Sequence, residues 1–272
     1  MEASLLKKLT FILTLLMIVV ISVFGGISVF AASHSTLHPS LHQAAPVLRW
    51  TADPVKEGLN AFEGVEDDPS HSEPGVTHIS VVGNTYRINM DTRQRETPGD
   101  RQRNEVKGMR TPQGQIITIG LGETWRFAYS MFIPSTLKGT NGFTIIFQIK
   151  RPGTGSIPLV SMNLRRVGTQ ELIALQTDIS GGDVASTDLA PLKNHWISTV
   201  IDVTAGPAGK GAVHWTLTNG GKTVVNAGRT RVDTWLGDRL RPKWGIYRKV
   251  ADKADVLDTY LLISNIQAYQ IV

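Results

Sequence analysis

From Gly58 to the end, the chain alternates short runs of β-branched and aromatic residues with turns rich in Gly, Pro, Asn and Asp. No stretch has the apolar spacing of a long amphipathic helix. Many short strands separated by frequent turn residues are typical of antiparallel all-β domains. The pattern predicts one all-β domain over residues 58–272, an antiparallel β-sandwich of the jelly-roll type.

The predicted strands have bounds that follow from these runs. Asn219-Gly220-Gly221, between two of them, predicts a tight hairpin turn. The strands are His78–Val82, Thr85–Met90, Asn104–Met109, Ile116–Leu121, Thr124–Phe132, Gly142–Lys150, Ile157–Leu164, Glu171–Thr177, Trp196–Val203, Ala212–Thr218, Lys222–Gly228, Lys243–Lys249 and Thr259–Ile271.

The N-terminal segment resembles a secretory signal. Lys7 and Lys8 precede an apolar run from Leu9 to Phe30, and small residues follow it. This order predicts a signal peptide over residues 1–32, with an uncleaved membrane anchor as the alternative. Residues 33–57 are rich in Ser, His, Pro and Ala, which predicts a linker. We therefore expect a secreted or extracellular protein, or one anchored to the membrane by this segment.

The composition restricts how the domain is stabilised and what it binds. The chain has no cysteine and is 41% hydrophobic, so a large apolar core must replace disulfide bonds. Its formal net charge of +5 favours an anionic partner. No nucleic-acid recognition motif is present, so nucleic acid is not expected as a partner. We expect a monomer.

The segment from Arg241 to Arg248 is the most informative for function. Alternate residues of a strand lie on one face, so Lys243, Gly245 and Tyr247 share a face. Trp244 and Ile246 then point to the core. A cation, a gap without a side chain and a phenol would suit an acidic sugar lying on the backbone at Gly245.

Two further strands carry polar residues at the same spacing. Arg103, Glu105 and Lys107 share one face, and Gln148 and Lys150 end an otherwise apolar run. Each pattern has a simpler interpretation, a solvated face for the first and a satisfied strand end for the second. In a jelly roll, however, strands distant in sequence lie side by side, so the three faces are expected to meet in one groove.

The order and spacing of these segments resemble the three motifs of family 7 alginate lyases, and related segments occur in glucuronan lyases and heparin-lyase-like proteins. The matching segments are Arg103-Asn104-Glu105-Val106-Lys107, Gln148-Ile149-Lys150 and Pro242-Lys243-Trp244-Gly245-Ile246-Tyr247. The resemblance covers the chain from about residue 60 onward. It implies a concanavalin A-like jelly roll and a polysaccharide lyase that cleaves a uronic-acid polymer by β-elimination.

The resemblance also implies roles for individual residues. Arg103 and Gln148 match positions that neutralise or hydrogen-bond the substrate carboxylate, and Tyr247 matches the tyrosine that acts as acid, base or both. Lys243, Glu105, Lys107 and Arg248 are expected to bind substrate. The expected partner is an anionic polysaccharide such as glucuronan, alginate or a glycosaminoglycan-like polymer.

The second motif departs from the family, because it ends in Lys150 where the family has histidine. A lysine accepts a proton only when burial or neighbouring cations favour its neutral form. Three alternatives stay open. Lys150 is a base, or it only holds the substrate carboxylate, or the chain binds polyanions without cleaving them.

Other classes of function are less well supported by the residues. A glycoside hydrolase of this fold needs two carboxylates across the scissile bond, and no strand carries such a pair. A lectin-like binding domain is the stronger alternative, with Trp125, Trp196, Trp215 and Trp235 as stacking candidates, although buried core positions suit such residues as well.

We expect no cofactor and no catalytic metal. Structural calcium remains open at two sets of acidic residues in expected loops. These sets are Glu63, Glu66, Asp67 and Asp68, and Asp252, Asp255 and Asp258.

Overall fold

Short strands dominate the computed structural model, which describes residues 45–97, 99–153, 155–250 and 253–272. Two short 3₁₀ segments, Gly58–Ala61 and Ala190–Leu192, accompany them. Across these ranges no helix is long and apolar enough to cross a membrane. The strands in chain order are β1 Pro46–Ala52, β2 Gly64–Asp67, β3 Ile79–Val82, β4 Thr85–Met90, β5 Arg101–Lys107, β6 Met109–Arg110, β7 Ile116–Ile117, β8 Thr124–Phe132, β9 Thr144–Lys150, β10 Val160–Val167, β11 Gln170–Thr177, β12 Asp183–Asp188, β13 Trp196–Thr204, β14 Gly211–Asn219, β15 Lys222–Val232, β16 Arg241–Lys249 and β17 Thr259–Ile271.

The strands form two large antiparallel sheets. In the described residues, one sheet of seven strands has the order β12-β11-β10-β9-β16-β5-β2. The other has eight strands in the order β15-β14-β13-β8-β17-β4-β3, with β1 also pairing with β17. Strands distant in sequence are neighbours in both sheets, so the predicted all-β jelly-roll sandwich is confirmed.

Aromatic side chains fill the space between the sheets. Trp244 of β16 is fully buried, and its ring centroid lies 5.7 Å from that of Phe147 and 6.2 Å from that of Phe127 in the facing sheet. Trp50 of β1 stacks on Trp244 at 5.8 Å. This core, without disulfide bonds, fixes the inner face of β16 and leaves its opposite face for the polar residues.

The hairpin predicted at Gly220 is present. Asn219 of β14 pairs with Lys222 of β15, so the loop has two residues. Gly220 and Gly221 both have positive φ, 57° and 82°, as a primed two-residue turn requires.

The domain begins earlier than predicted. Residues 46–52, which we expected in the linker, form β1, pair with β17 and bury Trp50 to 4% exposure. The linker prediction is wrong there, because the pairing of β1 depends on a strand more than 200 residues away. The predicted signal or anchor, residues 1–32, and the linker up to residue 44 lie outside the described residues.

Candidate active site

Three neighbouring strands of the seven-stranded sheet carry the polar faces that the sequence identified. On one side of β16, Tyr247 pairs with Arg103 and Gly245 with Glu105 of β5. On its other side, Lys243 pairs with Gln148 of β9. The predicted convergence of the three segments is therefore present.

A cleft of about 480 Å³ opens over this face. It crosses the sheet from β5 and β16, over β9, to β10 and β11. Its lining residues are Arg101, Arg103, Phe143, Ile145, Gln148, Lys150, Gly155, Ser156, Ile157, Pro158, Asn163, Gln176, Asp178 and Tyr247.

Tyr247 lies between two guanidinium groups. Nη1 of Arg101 donates to the Tyr247 hydroxyl at 3.0 Å. The guanidinium carbon of Arg103 lies 4.1 Å from the centre of the Tyr247 ring, in a cation–π contact. The ring of Phe143, 4.8 Å away, packs beside it. These contacts hold the phenol in place and put positive charge beside the oxygen that would carry negative charge after proton loss.

Arg103 is surrounded by carboxylates. Its Nε lies 3.1 Å from Glu96 and 4.0 Å from Glu105, and its Nη1 lies 3.4 Å from Glu66. Burial lowers the pKa of Arg103, but the three carboxylates outweigh burial and the net effect raises it. Arg103 is therefore a fixed cation of the cleft, largely balanced by protein charges.

Beneath the cleft, Lys243 and Glu105 form a buried ion pair, with exposures of 1% and 0%. Nζ of Lys243 lies 2.6 Å from Glu105 and 2.5 Å from Glu66. Gln148 donates to the other Glu105 oxygen at 2.6 Å, and the buried Oε1 of Gln148 has no hydrogen-bond partner among the described residues. Lys243 and Glu105 are occupied with each other in this structure, and their predicted role in substrate binding stays a prediction.

Glu66 closes this network at the edge strand β2. It accepts hydrogen bonds from Lys243 and, at 2.9 Å, from Lys107. Burial raises the pKa of Glu66, but the two lysines outweigh burial and bring the pKa to about 2. Lys107 pairs with Glu66 and is absent from the cleft lining, so its predicted contact with substrate stays a prediction that the cleft does not support.

Arg248 is the fourth predicted substrate-binding residue, and it lies on the other side of β16. It is 1% exposed, and its Nε donates to Gln102 at 2.7 Å and its Nη2 to the Leu257 carbonyl at 2.9 Å. Burial lowers its pKa to about 10. The prediction is wrong because an even-numbered residue of β16 shares the inward face with Trp244.

Lys150 differs from the other cations. It lines the cleft half-buried, and its ammonium makes no hydrogen bond or ion pair within the described ranges. Burial lowers its pKa, and the positive charges of Lys243 and Arg103 lower it further. Lys150 is thus the lysine of the cleft best suited to lose its proton.

Gly245 allows two strands of the sheet to approach each other closely. The prediction that it makes room for a ligand is wrong. Its φ is +152°, and a Cβ there would lie 2.1 Å from the Asn104 carbonyl oxygen and 2.6 Å from the Glu105 Cα. The pairing of β16 with β9 shifts register between Trp244 and Tyr247. Glycine is therefore required for β16 to approach β5 closely at this irregular point.

Several residues line the cleft besides those of the three motifs. Arg101 lies two positions before Arg103 on the same strand face, so extending the period-two pattern identifies it. Asn163 and Gln176 interrupt apolar runs as Gln148 does, which is a usable signal. Asp178 follows the end of β11, where the local sequence carries no such signal.

The acidic sets considered for calcium are held by protein groups. Glu63 pairs with Arg239 at 2.8 Å and Asp67 with His78 at 2.8 Å. Asp255 pairs with Arg166, and Asp252 lies outside the described residues. Calcium binding remains an untested prediction.

The tryptophans proposed as stacking platforms are elsewhere. Trp125 and Trp215 are buried in the core, whereas Trp196 is 44% exposed. None of the four tryptophans lines the cleft over the described residues. The cleft therefore offers Tyr247 and Phe143 as its aromatic rings.

Solved structures with a similar fold include polysaccharide lyases. Alginate lyase Aly36B, in a variant complex with alginate trisaccharide, aligns with a TM-score of 0.51 at 12% identity over 84% of this chain and 100% of that one. The endo-β-1,4-glucuronan lyase of Trichoderma reesei aligns with a TM-score of 0.51 at 14% identity over 82% of this chain and 95% of the other. The family 7 alginate lyase A1-II′, in a variant complex with substrate, has a TM-score of 0.50 at 16% identity over 72% and 83%.

Sequence comparisons add no closer relative. No protein-family model matches the chain, and no curated protein matches it. At these identities the structural likeness confirms the fold that the motifs indicated, the jelly roll of polysaccharide lyases.

Proposed function

We propose that this protein is a secreted polysaccharide lyase that cleaves a uronic-acid-containing polymer by β-elimination. The observation that carries the proposal is the combination of Tyr247, hydrogen-bonded by Arg101 at 3.0 Å, with an unpaired Lys150 in one cleft. Two groups able to transfer protons thus face the same space, and the structural neighbours of this fold are lyases.

The reaction requires two proton transfers. A base removes the proton at carbon 5 of the uronate, the bond from carbon 4 to the glycosidic oxygen breaks, and a double bond forms between carbons 4 and 5. The departing oxygen takes a proton from an acid. The negative charge that builds up on the uronate carboxylate must be stabilised by fixed positive charge or hydrogen bonds.

We assign the base to Lys150. Burial and the charges of Lys243 and Arg103 lower its pKa more than the charges of Glu105 and Glu66 raise it, and no carboxylate among the described residues forms an ion pair with it. A neutral amine near the operating pH is what general-base catalysis needs. This assignment selects one of the three alternatives that the sequence left open.

We assign the acid to Tyr247. Its hydroxyl proton passes to the departing oxygen, and the phenolate that remains is stabilised by the hydrogen bond from Arg101 and the charge of Arg103. Both contacts exist before substrate binds, so no reorganisation is needed during the reaction.

Arg103 is assigned to the substrate carboxylate, and Gln148 to a hydrogen-bond donor near it. Arg103 supplies fixed charge at the cleft wall. The side-chain nitrogen of Gln148 donates to Glu105, so its carbonyl oxygen is the atom left to accept a hydrogen bond. That oxygen accepts a hydrogen bond from a substrate hydroxyl or from Lys150 once it is protonated.

The test is incubation of the purified protein with glucuronan, alginate and glycosaminoglycans while the ultraviolet absorbance of the unsaturated uronate product is followed. The expected result is steady growth of this absorbance with at least one polymer. Retained binding of polyanions with no product from any of them would refute the lyase and favour the lectin-like alternative.

Secretion rests on the N-terminal segment alone. Its test is the N-terminal sequence of protein recovered from the culture medium after expression with residues 1–272. Cleavage close to Ala32 is expected, and retention in the membrane fraction would instead favour the anchor.

A further inference from the structure

The far side of the cleft differs chemically from the side that carries Tyr247. We name it the Asp178 half and define it by Asn163 of β10, Gln176 of β11, Asp178 and the segment 156–158. Three strand spacings, about 14 Å, separate β16 from β11. That distance accommodates more than one sugar ring, so this half has room for a neighbour of the reacting uronate.

Hydrogen bonds hold the side chains of this half in place. Asn163 donates to Ser161 at 2.7 Å and to Gln176 at 2.7 Å. Ser161 donates in turn to Oδ1 of Asp178 at 3.0 Å. The amide and carboxyl groups are therefore preorganised to meet a ligand.

Oδ2 of Asp178 is the atom that lacks a partner. It is buried, and no hydrogen bond satisfies it within the described residues. Burial raises the pKa of Asp178 to about 6, and no cation acts in the opposite direction. A buried acceptor without a partner is costly, and a ligand that donates a hydrogen bond removes that cost.

Among the residues that the structure describes, no cation lines this half. The nearest arginine along β10, Arg165, is paired through both terminal nitrogens with Asp183, at 2.6 and 3.1 Å. The cations of the cleft, Arg101, Arg103 and Lys150, lie on β5 and β9. A second uronate carboxylate in this half would therefore face the Asp178 carboxylate without compensation, which costs binding energy.

We propose that the cleft takes a heteropolymer in which an uncharged sugar adjoins the reacting uronate. The uncharged sugar lies in the Asp178 half and donates a hydrogen bond from a hydroxyl or amide group to Oδ2 of Asp178. Ile157, which is 56% exposed, and Pro158 offer an apolar contact beside it. This inference rests on the proposed lyase function and narrows its substrate from uronate polymers in general to mixed ones.

The test compares two kinds of polymer. The mixed probes are unsulfated chondroitin, which alternates glucuronate with N-acetylhexosamine, and gellan, which places glucuronate between neutral hexoses. The homopolymer probes are polyglucuronate and polymannuronate. We expect kcat/KM on the better mixed polymer to exceed that on either homopolymer by about tenfold or more. Equal or faster cleavage of a homopolymer would overturn the inference and leave the lyase function intact.

Asp178→Asn removes the negative charge of this side chain with little change in its shape. We expect it to raise kcat/KM on the homopolymers and so reduce the preference, whereas Asp238→Asn, at an exposed aspartate outside the cleft, leaves the preference unchanged. An Asp178→Asn variant with the wild-type preference would contradict the inference. The comparison of polymers with the unmodified protein decides the question if this variant does not fold.

Calorimetric titration distinguishes a failure of the lyase function from a failure of this inference. It uses tetrasaccharides from the mixed polymers and from the homopolymers. If no polymer gives unsaturated product, tighter binding of the mixed tetrasaccharide supports the assignment of the Asp178 half. Tighter binding of the homopolymeric tetrasaccharide refutes it.

Discussion

At the level of single residues, each cation in or below the cleft has a role that follows from the groups it is paired with. Arg103 is balanced by three carboxylates, and Lys243 is buried between two. Arg101 shares its charge between Asp100 and the Tyr247 hydroxyl. Among these cations Lys150 alone has no ion pair with a carboxylate of the described residues, so it is the one to which we assign a change of protonation during the reaction.

Replacing Tyr247 by Phe should remove the acid while keeping the ring on Arg103. We expect kcat to fall about 10²- to 10⁴-fold with little change in polymer binding. Steady-state kinetics and calorimetry check the two quantities. Tyr269→Phe, which removes a hydroxyl bonded to Gln267 outside the cleft, should leave kcat unchanged. Full activity of Tyr247→Phe would show that another group protonates the leaving oxygen.

Replacing Lys150 by Arg distinguishes a base from a simple cation. Arginine keeps the positive charge but does not give up its proton in proteins. If Lys150 is the base, Lys150→Arg and Lys150→Met should both lose about 10²-fold or more in kcat. A Lys150→Arg variant with substantial activity beside an inactive Lys150→Met would mean that Lys150 only neutralises the substrate.

The pH dependence of kcat/KM should carry the signature of this lysine. A base acts when it is unprotonated, so the rate should rise with pH through the pKa of Lys150. Because burial, Lys243 and Arg103 lower that pKa, the midpoint should lie below the ordinary lysine value of 10.5. A rise centred at or above that value would contradict the assignment.

At the level of strands, the positions that face the cleft were predictable, and the burial of their charges was not. Period-two alternation correctly placed Arg103, Gln148 and Tyr247 on the face opposite Trp244. It could not show that Glu105 and Lys243 neutralise each other, because that depends on the register between β5 and β16. The same alternation places Arg248 on the inward face with Trp244 and therefore excludes it from the cleft.

The strands that the sequence did not predict are stabilised by pairing with neighbouring strands of the sheet. The segment Gly64–Asp67 is short and acidic, which predicts a loop, yet it pairs with β5 as an edge strand. Glu66 is acceptable there because Lys243 and Lys107 neutralise it. β12, with the sequence Asp183–Asp188, is a similarly polar edge strand. Local propensity does not contain these long-range pairings.

Gly245→Ala tests how the close approach of β16 and β5 supports the site. The new Cβ would overlap the backbone of Asn104 and Glu105, so we expect a loss of about 3 kcal/mol in the free energy of unfolding. Urea unfolding measures it. In the matched control Gly120→Ala, the new Cβ meets only the Glu123 side chain at 3.7 Å, and the change should stay within about 0.5 kcal/mol. Equal losses would show that Gly245 has no special role.

At the level of the whole molecule, the buried charge network should make the fold sensitive to acid. The pKa of Glu66 is about 2 in the folded protein, against 4.5 for an ordinary glutamate. A lowered folded-state pKa stabilises the fold above the unfolded value, and this stabilisation is lost as the pH falls from 4.5 towards 2. The full contribution is about 3 kcal/mol.

Urea unfolding at a series of pH values checks this expectation. Glu66→Gln should be less stable than the wild type at neutral pH and should converge with it as the pH falls through this range. Asp188→Asn, at an exposed aspartate of β12, should follow the wild-type curve. A constant difference between Glu66→Gln and the wild type at all pH values would contradict the role of ionised Glu66.

The buried network of Glu66, Lys243, Glu105 and Gln148 also limits how the cleft floor can change during evolution or engineering. A single change of charge at Lys243 or Glu105 leaves an uncompensated ion or acceptor out of reach of water. Variants that keep the stability of the fold must therefore change these two residues together. New substrate preferences are reached more readily by single substitutions on β10 and β11, where the lining groups can vary while the proton-transfer residues stay in place.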